Sequence, residues 1–176
     1  MASGSMIQIL PGLARNYGIS GEQVAWINGL GGALLNVAGA LSASVISAKT
    51  RAPVAYMAAA LLNAATLVIL WLGPLQPAVY FAGTVLFLFT IGACYALFTA
   101  VVLEFLGNSG KSGSARYSII NSLGNVPVAY MAWIDGSCSE RWGARAASGA
   151  DVILSTIGGS ILLAYFLTHG KKPENA

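Results

Sequence analysis

Tyr117, Asn121 and Asn125 recur every fourth residue in a segment otherwise built of apolar and small side chains. On a helix that spacing gathers them on one side. The chemistry they offer is hydrogen bonding by two amides and a phenol, which suits binding a polar solute. Asn28 and Asn36 repeat the pattern in an earlier apolar run and are secondary candidates for the same work. Glu104 and Arg116 close one apolar run and open the next, at similar depth, so they could form a gate-like ion pair. Pro127, just beyond the amide stripe, removes a backbone hydrogen bond and frees the carbonyl near Leu123.

The remaining reactive types point to no enzyme, metal or cofactor. There is no Ser-His-Asp set, phosphate loop or Cys/His cluster. Gly29-Leu30-Gly31-Gly32 follows no strand and lies inside an apolar run, so it is not a nucleotide loop. Cys94 and Cys138 are too few for a disulfide framework and read as unpaired small residues. His169 reads as a cation near a helix C-terminus. Acid–base chemistry within lipid would need a pair at one depth, and Glu104 and Asp135 fall near opposite ends of their runs. Any proton-coupling acid is therefore expected elsewhere than in this chain.

The elements that position these residues follow from composition. Of 176 residues, 56% are hydrophobic and 9% charged, and the mean hydropathy is +0.71. A soluble domain carries about 25% charged residues, so a typical soluble enzyme, a disordered chain and a coiled coil are excluded. An all-α polytopic membrane bundle with the lipid bilayer as its surroundings is expected. The basic residues sit in pairs between apolar runs, as topology signals and not as a nucleic-acid surface.

Spanning helices need about 20 apolar residues. Five runs qualify, at about 24–48, 53–72, 78–103, 115–134 and 152–168 of a single domain over 1–176. The second and third are parted by the turn Gly73-Pro74-Leu75-Gln76-Pro77. None alternates polar and apolar as barrel strands do. Lys49, Arg51, Lys111, Arg116, Lys171 and Lys172 fall on one side, and Arg15, Arg141 and Arg145 on the other. The excess puts the first group, and with it the C-terminus, in the cytoplasm.

Met6–Leu13 is apolar but too short to span and lacks the basic flank of a signal peptide. It is expected to be the remnant of a sixth helix, with the chain part of something longer. Helices in lipid meet through small and polar faces. Asn28, Gly32, Asn36, Ala40 and Ser44 offer one such face, with Gly39 and Ala43 beside them, and Ser155, Gly158 and Gly159 another.

The run Arg116-Tyr-Ser-Ile-Ile-Asn-Ser-Leu-Gly-Asn-Val-Pro-Val-Ala-Tyr-Met-Ala-Trp-Ile-Asp-Gly136 resembles the eleventh helix of a major facilitator superfamily permease. It is closest to the branch of muropeptide permeases and acetyl-coenzyme A transporters. Leu10-Pro-Gly-Leu-Ala-Arg-Asn-Tyr-Gly-Ile-Ser20 and Glu22-Gln-Val-Ala-Trp-Ile-Asn-Gly-Leu-Gly-Gly32 similarly resemble the end of helix seven, an outer loop and helix eight. The resemblance implies the C-terminal part of a secondary permease of the cell (inner) membrane. Its partners would be a small-molecule solute and the N-terminal half of the same permease. The family's basic loop between helices eight and nine would fall at Ser47-Ala-Lys-Thr-Arg-Ala-Pro53, but its usual Asp and Gly are absent there. The alternative is a small five-span membrane scaffold or assembly protein without transport activity.

Overall fold

The computed structural model describes residues 2–107 and 113–169. Lys111, Lys171 and Lys172 lie outside the described residues, as does the side chain of His169. A 3-10 turn, Ala2–Ser5, leads into α1, Met6–Leu13, and a second such turn, Ala14–Tyr17. Helix α2, Gly21–Val24, continues through a wide-turned stretch, Ala25–Gly31, into α3, Gly32–Ser47. Then come α4, Ala52–Leu72; α5, Pro77–Leu106; α6, Gly113–Leu123; α7, Asn125–Trp142; and α8, Ala144–His169. No strand occurs among the described residues.

Local chemistry sets the boundaries. Ser20 and Gln23 form a capping box at the start of α2: the Gln23 amide donates to Ser20 Oγ at 3.3 Å and the Ser20 amide to Gln23 Oε1 at 3.0 Å. Two orphan helix donors are satisfied this way. Pro53 and Pro77 occupy the first turns of α4 and α5, where a missing N–H costs nothing. Between α7 and α8 the whole connection is Gly143, whose φ of 88° suits glycine.

Among the described residues, four stretches are long and apolar enough to cross a membrane: Gly21–Ser47, Ala52–Leu72, Pro77–Leu106 and Ala144–Thr168. The expected turn at 73–77 and the spans on either side of it stand close to where the sequence puts them. The count of five does not carry over unchanged. The expected span at 115–134 falls on α6 and α7, which are parted at Gly124 and are not among the four. The cause is compositional: Ser114, Arg116, Ser118, Asn121, Ser122 and Asn125 dilute its hydropathy.

Contacts between helices fix their directions. Asn28 bonds to Tyr80, Gly32 lies against Leu88 and Gly39 against Ala93, so the helical stretch through α3 runs beside α5 in the same sense. Leu70 packs on Gly83, Trp71 on Gly149 and Leu61 on Gly159, so α4 runs opposite to both α5 and α8. Helices α4 and α5 form the centre, with 44% and 50% of their apolar windows buried, against 17% for the flanking first and last spans.

The expected small-residue face of the first span is rotated in the structure. Gly32, Gly39 and Ala43 are buried there, while Ser44 is exposed. A strict four-residue repeat drifts by about 40° per step on a helix of 3.6 residues per turn. The line from Asn28 to Ser44 therefore winds out of the contact.

The N-terminal segment is part of the core. Met6, Leu10, Leu13, Ala14 and Tyr17 are all buried. Tyr17 Oη donates to the Leu70 carbonyl at 2.8 Å, and Tyr80 Oη to the Leu10 carbonyl at 3.1 Å. A Cβ on Gly4 would meet Tyr95 Oη at 3.0 Å and Val128 at 3.2 Å. The segment thus climbs from the middle of the bundle to the end carrying the 73–76 turn.

Candidate functional site

The sequence-selected residues do not converge on one point. Tyr117 is half-buried on α6, while Asn121 and Asn125 are exposed where α6 meets α7. Asn28 is half-buried; its amide donates to Tyr80 Oη at 3.1 Å and to the Val24 carbonyl at 3.3 Å. Asn36 donates to the Gly32 carbonyl at 2.8 Å beside the α3–α5 crossing. Asn28 thereby ties its helix to α5, while the Asn36 bond stays within α3. Glu104 and Arg116 are exposed, and no ion pair joins them among the described residues.

Pro127 lines a groove from α7. It has no N–H to offer the Leu123 carbonyl four residues earlier, and the hydrogen-bond ladder lapses at Gly124, which keeps helical dihedrals (φ −61°, ψ −21°) and whose own amide still reaches Ile120 at 3.0 Å. Phe98 packs against the break: a Cβ on Gly124 would meet its ring at 3.0 Å. Directly beyond lies a groove of about 400 Å³ between α4, α7 and α8. Tyr56 and Ala60 line it from α4, Pro127 and Met131 from α7, and Ser155 and Gly158 from α8. Gly158 leaves its space open, since a Cβ there would touch nothing within 4 Å. The lining is mostly apolar with a few polar groups, the usual make-up of a small-molecule site.

Two buried carboxylates lie on the helices that carry the groove's α7 and α8 walls, outside the groove lining itself. Asp135 on α7 and Asp151 on α8 are each fully buried, at 0% exposure. Ser5 Oγ donates to Asp135 Oδ2 at 2.7 Å, and Ser155 Oγ to Asp151 Oδ1 at 2.7 Å. The sequence puts both acids in a loop because hydropathy falls off after 134 and recovers at 152. The helices nevertheless continue to Trp142 and resume at Ala144.

A one-residue connection makes α7 and α8 an antiparallel hairpin. Asp135 and Asp151 stand eight residues on either side of Gly143, about 12 Å from its tip. Asp151 also lies between the levels of Gly149, which faces the Trp71 indole, and Gly159, which faces Leu61. It is thus within the length of α4. The legible signals were the symmetry about Gly143 and the spacing of Ser148, Asp151 and Ser155, which share one helix face.

Elsewhere the buried polar groups hold the fold. Asn63 donates from α4 to Thr90 Oγ1 at 2.8 Å and to the Phe87 carbonyl at 3.3 Å. Burial holds the Tyr17 phenol above its ordinary range. Cys94 is buried and Cys138 half-buried, both as free thiols. No group of three or more His, Cys, Asp or Glu side chains able to hold a metal occurs among the described residues.

Among the described residues the geometry is that of a helical bundle with four apolar helices of membrane-spanning length and a groove lined in part by Pro127. No protein-family model, curated protein or solved structure matches the chain.

Proposed function

We propose that the chain is the C-terminal half of a secondary solute permease of the major facilitator type. It would work in the cell (inner) membrane with its C-terminus in the cytoplasm and a companion N-terminal half beside it. The observation that carries this reading is the groove where the α6–α7 break meets α4 and α8. Transporters place solute sites near the bilayer midplane at interrupted helices, and this groove lies at such an interruption. Asn121 and Asn125 support the reading. An unpartnered amide in hydrocarbon costs several kcal/mol, roughly 2–7, so two exposed amides at the break call for a polar neighbour. A solute path or the companion half supplies one. Tyr117, Asn121 and Asn125 then face the solute, Asn28 and Asn36 stand apart from them on the α3 side, and Glu104 and Arg116 guard the opposite end.

The test fills the groove. Gly158→Trp places an indole in open space. Cells lacking the protein and cells making Gly158→Trp at normal membrane abundance are compared by metabolite profiling. A permease gives the same solute imbalance in both. A normal profile in Gly158→Trp cells, beside an altered one in cells lacking the protein, refutes the permease and favours the scaffold.

A further inference from the structure

A second groove, of about 280 Å³, opens between α3, α4 and α5. Helices α3 and α4 both pack on α5 but scarcely on each other, which leaves it open. Thr50 lines it from the α3–α4 connection, Ser42 from α3, Ala58 and Leu62 from α4, and Phe89 and Thr90 from α5. Leu62 stands ten residues beyond Ala52, where α4 begins, and Phe89 and Thr90 are near the middle of α5. The groove therefore runs about 15 Å from the end of the bundle to mid-depth. That is the depth of one leaflet in a hydrocarbon core about 30 Å thick.

The hydroxyl protons of the lining are already engaged. Ser42 Oγ donates to the Gly39 carbonyl at 2.7 Å, Thr50 Oγ1 to the Ile46 carbonyl at 2.8 Å and Thr90 Oγ1 to the Leu86 carbonyl at 2.9 Å. A polar solute would lose its hydration there with little in return, whereas a hydrocarbon chain loses none. The end at Thr50 differs. Lys49 and Arg51 flank Thr50, and no acidic residue occurs between Glu22 and Glu104. Helix α5 brings one acid, the exposed Glu104, to the same end, so the basic pair keeps a net positive charge. The start of α4 at Ala52 adds the positive end of a helix dipole.

We propose that this groove holds one acyl chain of an anionic phospholipid, whose headgroup phosphate rests on Lys49, Arg51 and the start of α4. Long basic side chains lay their stems on apolar surface and carry the charge out to headgroup level. Basic residues beside a spanning helix attract anionic headgroups. A zwitterionic lipid would fill the groove but leave the two charges without a net counter-charge. A soluble phosphate would meet the charges and leave the groove unused. The lipid bridges α3 and α4, which touch each other little. The site rests on the membrane setting and not on the permease reading.

The test is native mass spectrometry of the purified full chain in neutral detergent, titrated with phosphatidylglycerol or with phosphatidylcholine of the same acyl chains. The expected result is one phosphatidylglycerol per chain, bound roughly thirtyfold more tightly than phosphatidylcholine, the usual contribution of two basic side chains at an anionic headgroup. Lys49→Gln with Arg51→Gln brings both lipids to one affinity. Ala58→Trp, at an exposed position in the lining, fills the groove and loses phosphatidylglycerol with both charges in place. Arg141→Gln with Arg145→Gln, at the opposite end of the bundle, keeps the preference. Equal affinity of the unaltered chain for the two lipids overturns the proposal. So does Ala58→Trp that folds and binds phosphatidylglycerol as before, which reduces the contact to surface charge. Displacement of the lipid by equimolar glycerol phosphate also overturns it, since the occupant is then a soluble phosphate. If Ala58→Trp fails to fold, the basic pair decides alone, and a preference that survives its removal refutes the site.

Discussion

The closest approach in the bundle is the crossing of α3 and α5, and adding one methyl there should force the two helices apart. At Gly39 a Cβ would overlap the Phe89 carbonyl oxygen and lie 3.0 Å from the Ala93 nitrogen. At Gly92 it would overlap the Asn36 carbonyl oxygen and lie 2.6 Å from the Asn36 Cα. All of these atoms are backbone, so no side chain can turn aside. Lipid tails are as apolar as the helix faces, so packing of this kind is what holds such helices together. A separation of about 0.5–1 Å forfeits a quarter to a half of each lost van der Waals contact, and overpacking costs about 1–3 kcal/mol. Gly39→Ala and Gly92→Ala should each destabilise by about 2 kcal/mol, which is roughly a thirtyfold shift in the unfolding equilibrium.

The double variant should cost less than the sum, because helices already parted for one methyl admit the other. The assay is reversible unfolding in mixed detergent micelles. Gly136→Ala serves as the reference, since a Cβ there meets nothing within 4 Å; it should be neutral or gain up to about 1 kcal/mol from helix propensity. If Gly39→Ala and Gly92→Ala match Gly136→Ala, the close crossing does not exist.

Three further outcomes are expected. Asn63→Ala should cost about 1 kcal/mol in the same assay, near the usual worth of an interhelical hydrogen bond in membranes; Thr90 keeps its own bonds to the Leu86 and Phe87 carbonyls and is not orphaned. Tyr17→Phe should lose about 1 kcal/mol below pH 10 and flatten the alkaline limb of a melting-versus-pH series. The folded state holds the phenol proton above the ordinary value of 10.0, so its contribution is full below that value and is lost as pH rises through the raised one. Single cysteines at Lys49, Lys111 and Lys172 should react with an impermeant thiol reagent only from the cytoplasmic side, and labelling at 111 from outside intact cells would reverse the topology.

Hydropathy and turn chemistry made α4, α5 and the turn between them legible, because long uncharged runs and a Gly-Pro-Leu-Gln-Pro punctuation leave few alternatives. Pro127 likewise announced the break near Leu123. The misreadings share one cause. Hydropathy reports what a helix face meets, not where the helix ends. Polar residues therefore hid the continuation of α7 and α8 up to Gly143, and with it the placing of Asp135 and Asp151 at matching depth on a hairpin. The four-residue repeat from Asn28 to Ser44 was real in the sequence, but helical drift turns its far end outward. Met6–Leu13 was legible as too short to span. Its burial depends on Tyr17, Tyr80 and Leu70, which meet only in three dimensions.

The most direct test of the permease reading is water access to the groove. Ala60, Ile134 and Gly158 are changed singly to cysteine in a background with Cys94 and Cys138 replaced by alanine, and native membranes are treated with a water-soluble thiol reagent. Leu34 and Val37, exposed on α3, serve as lipid-facing references. A solute path is expected to make the groove positions reactive and leave the α3 positions silent. Groove cysteines as unreactive as those on α3 would mean that lipid or packing fills the space, and the permease account would be wrong.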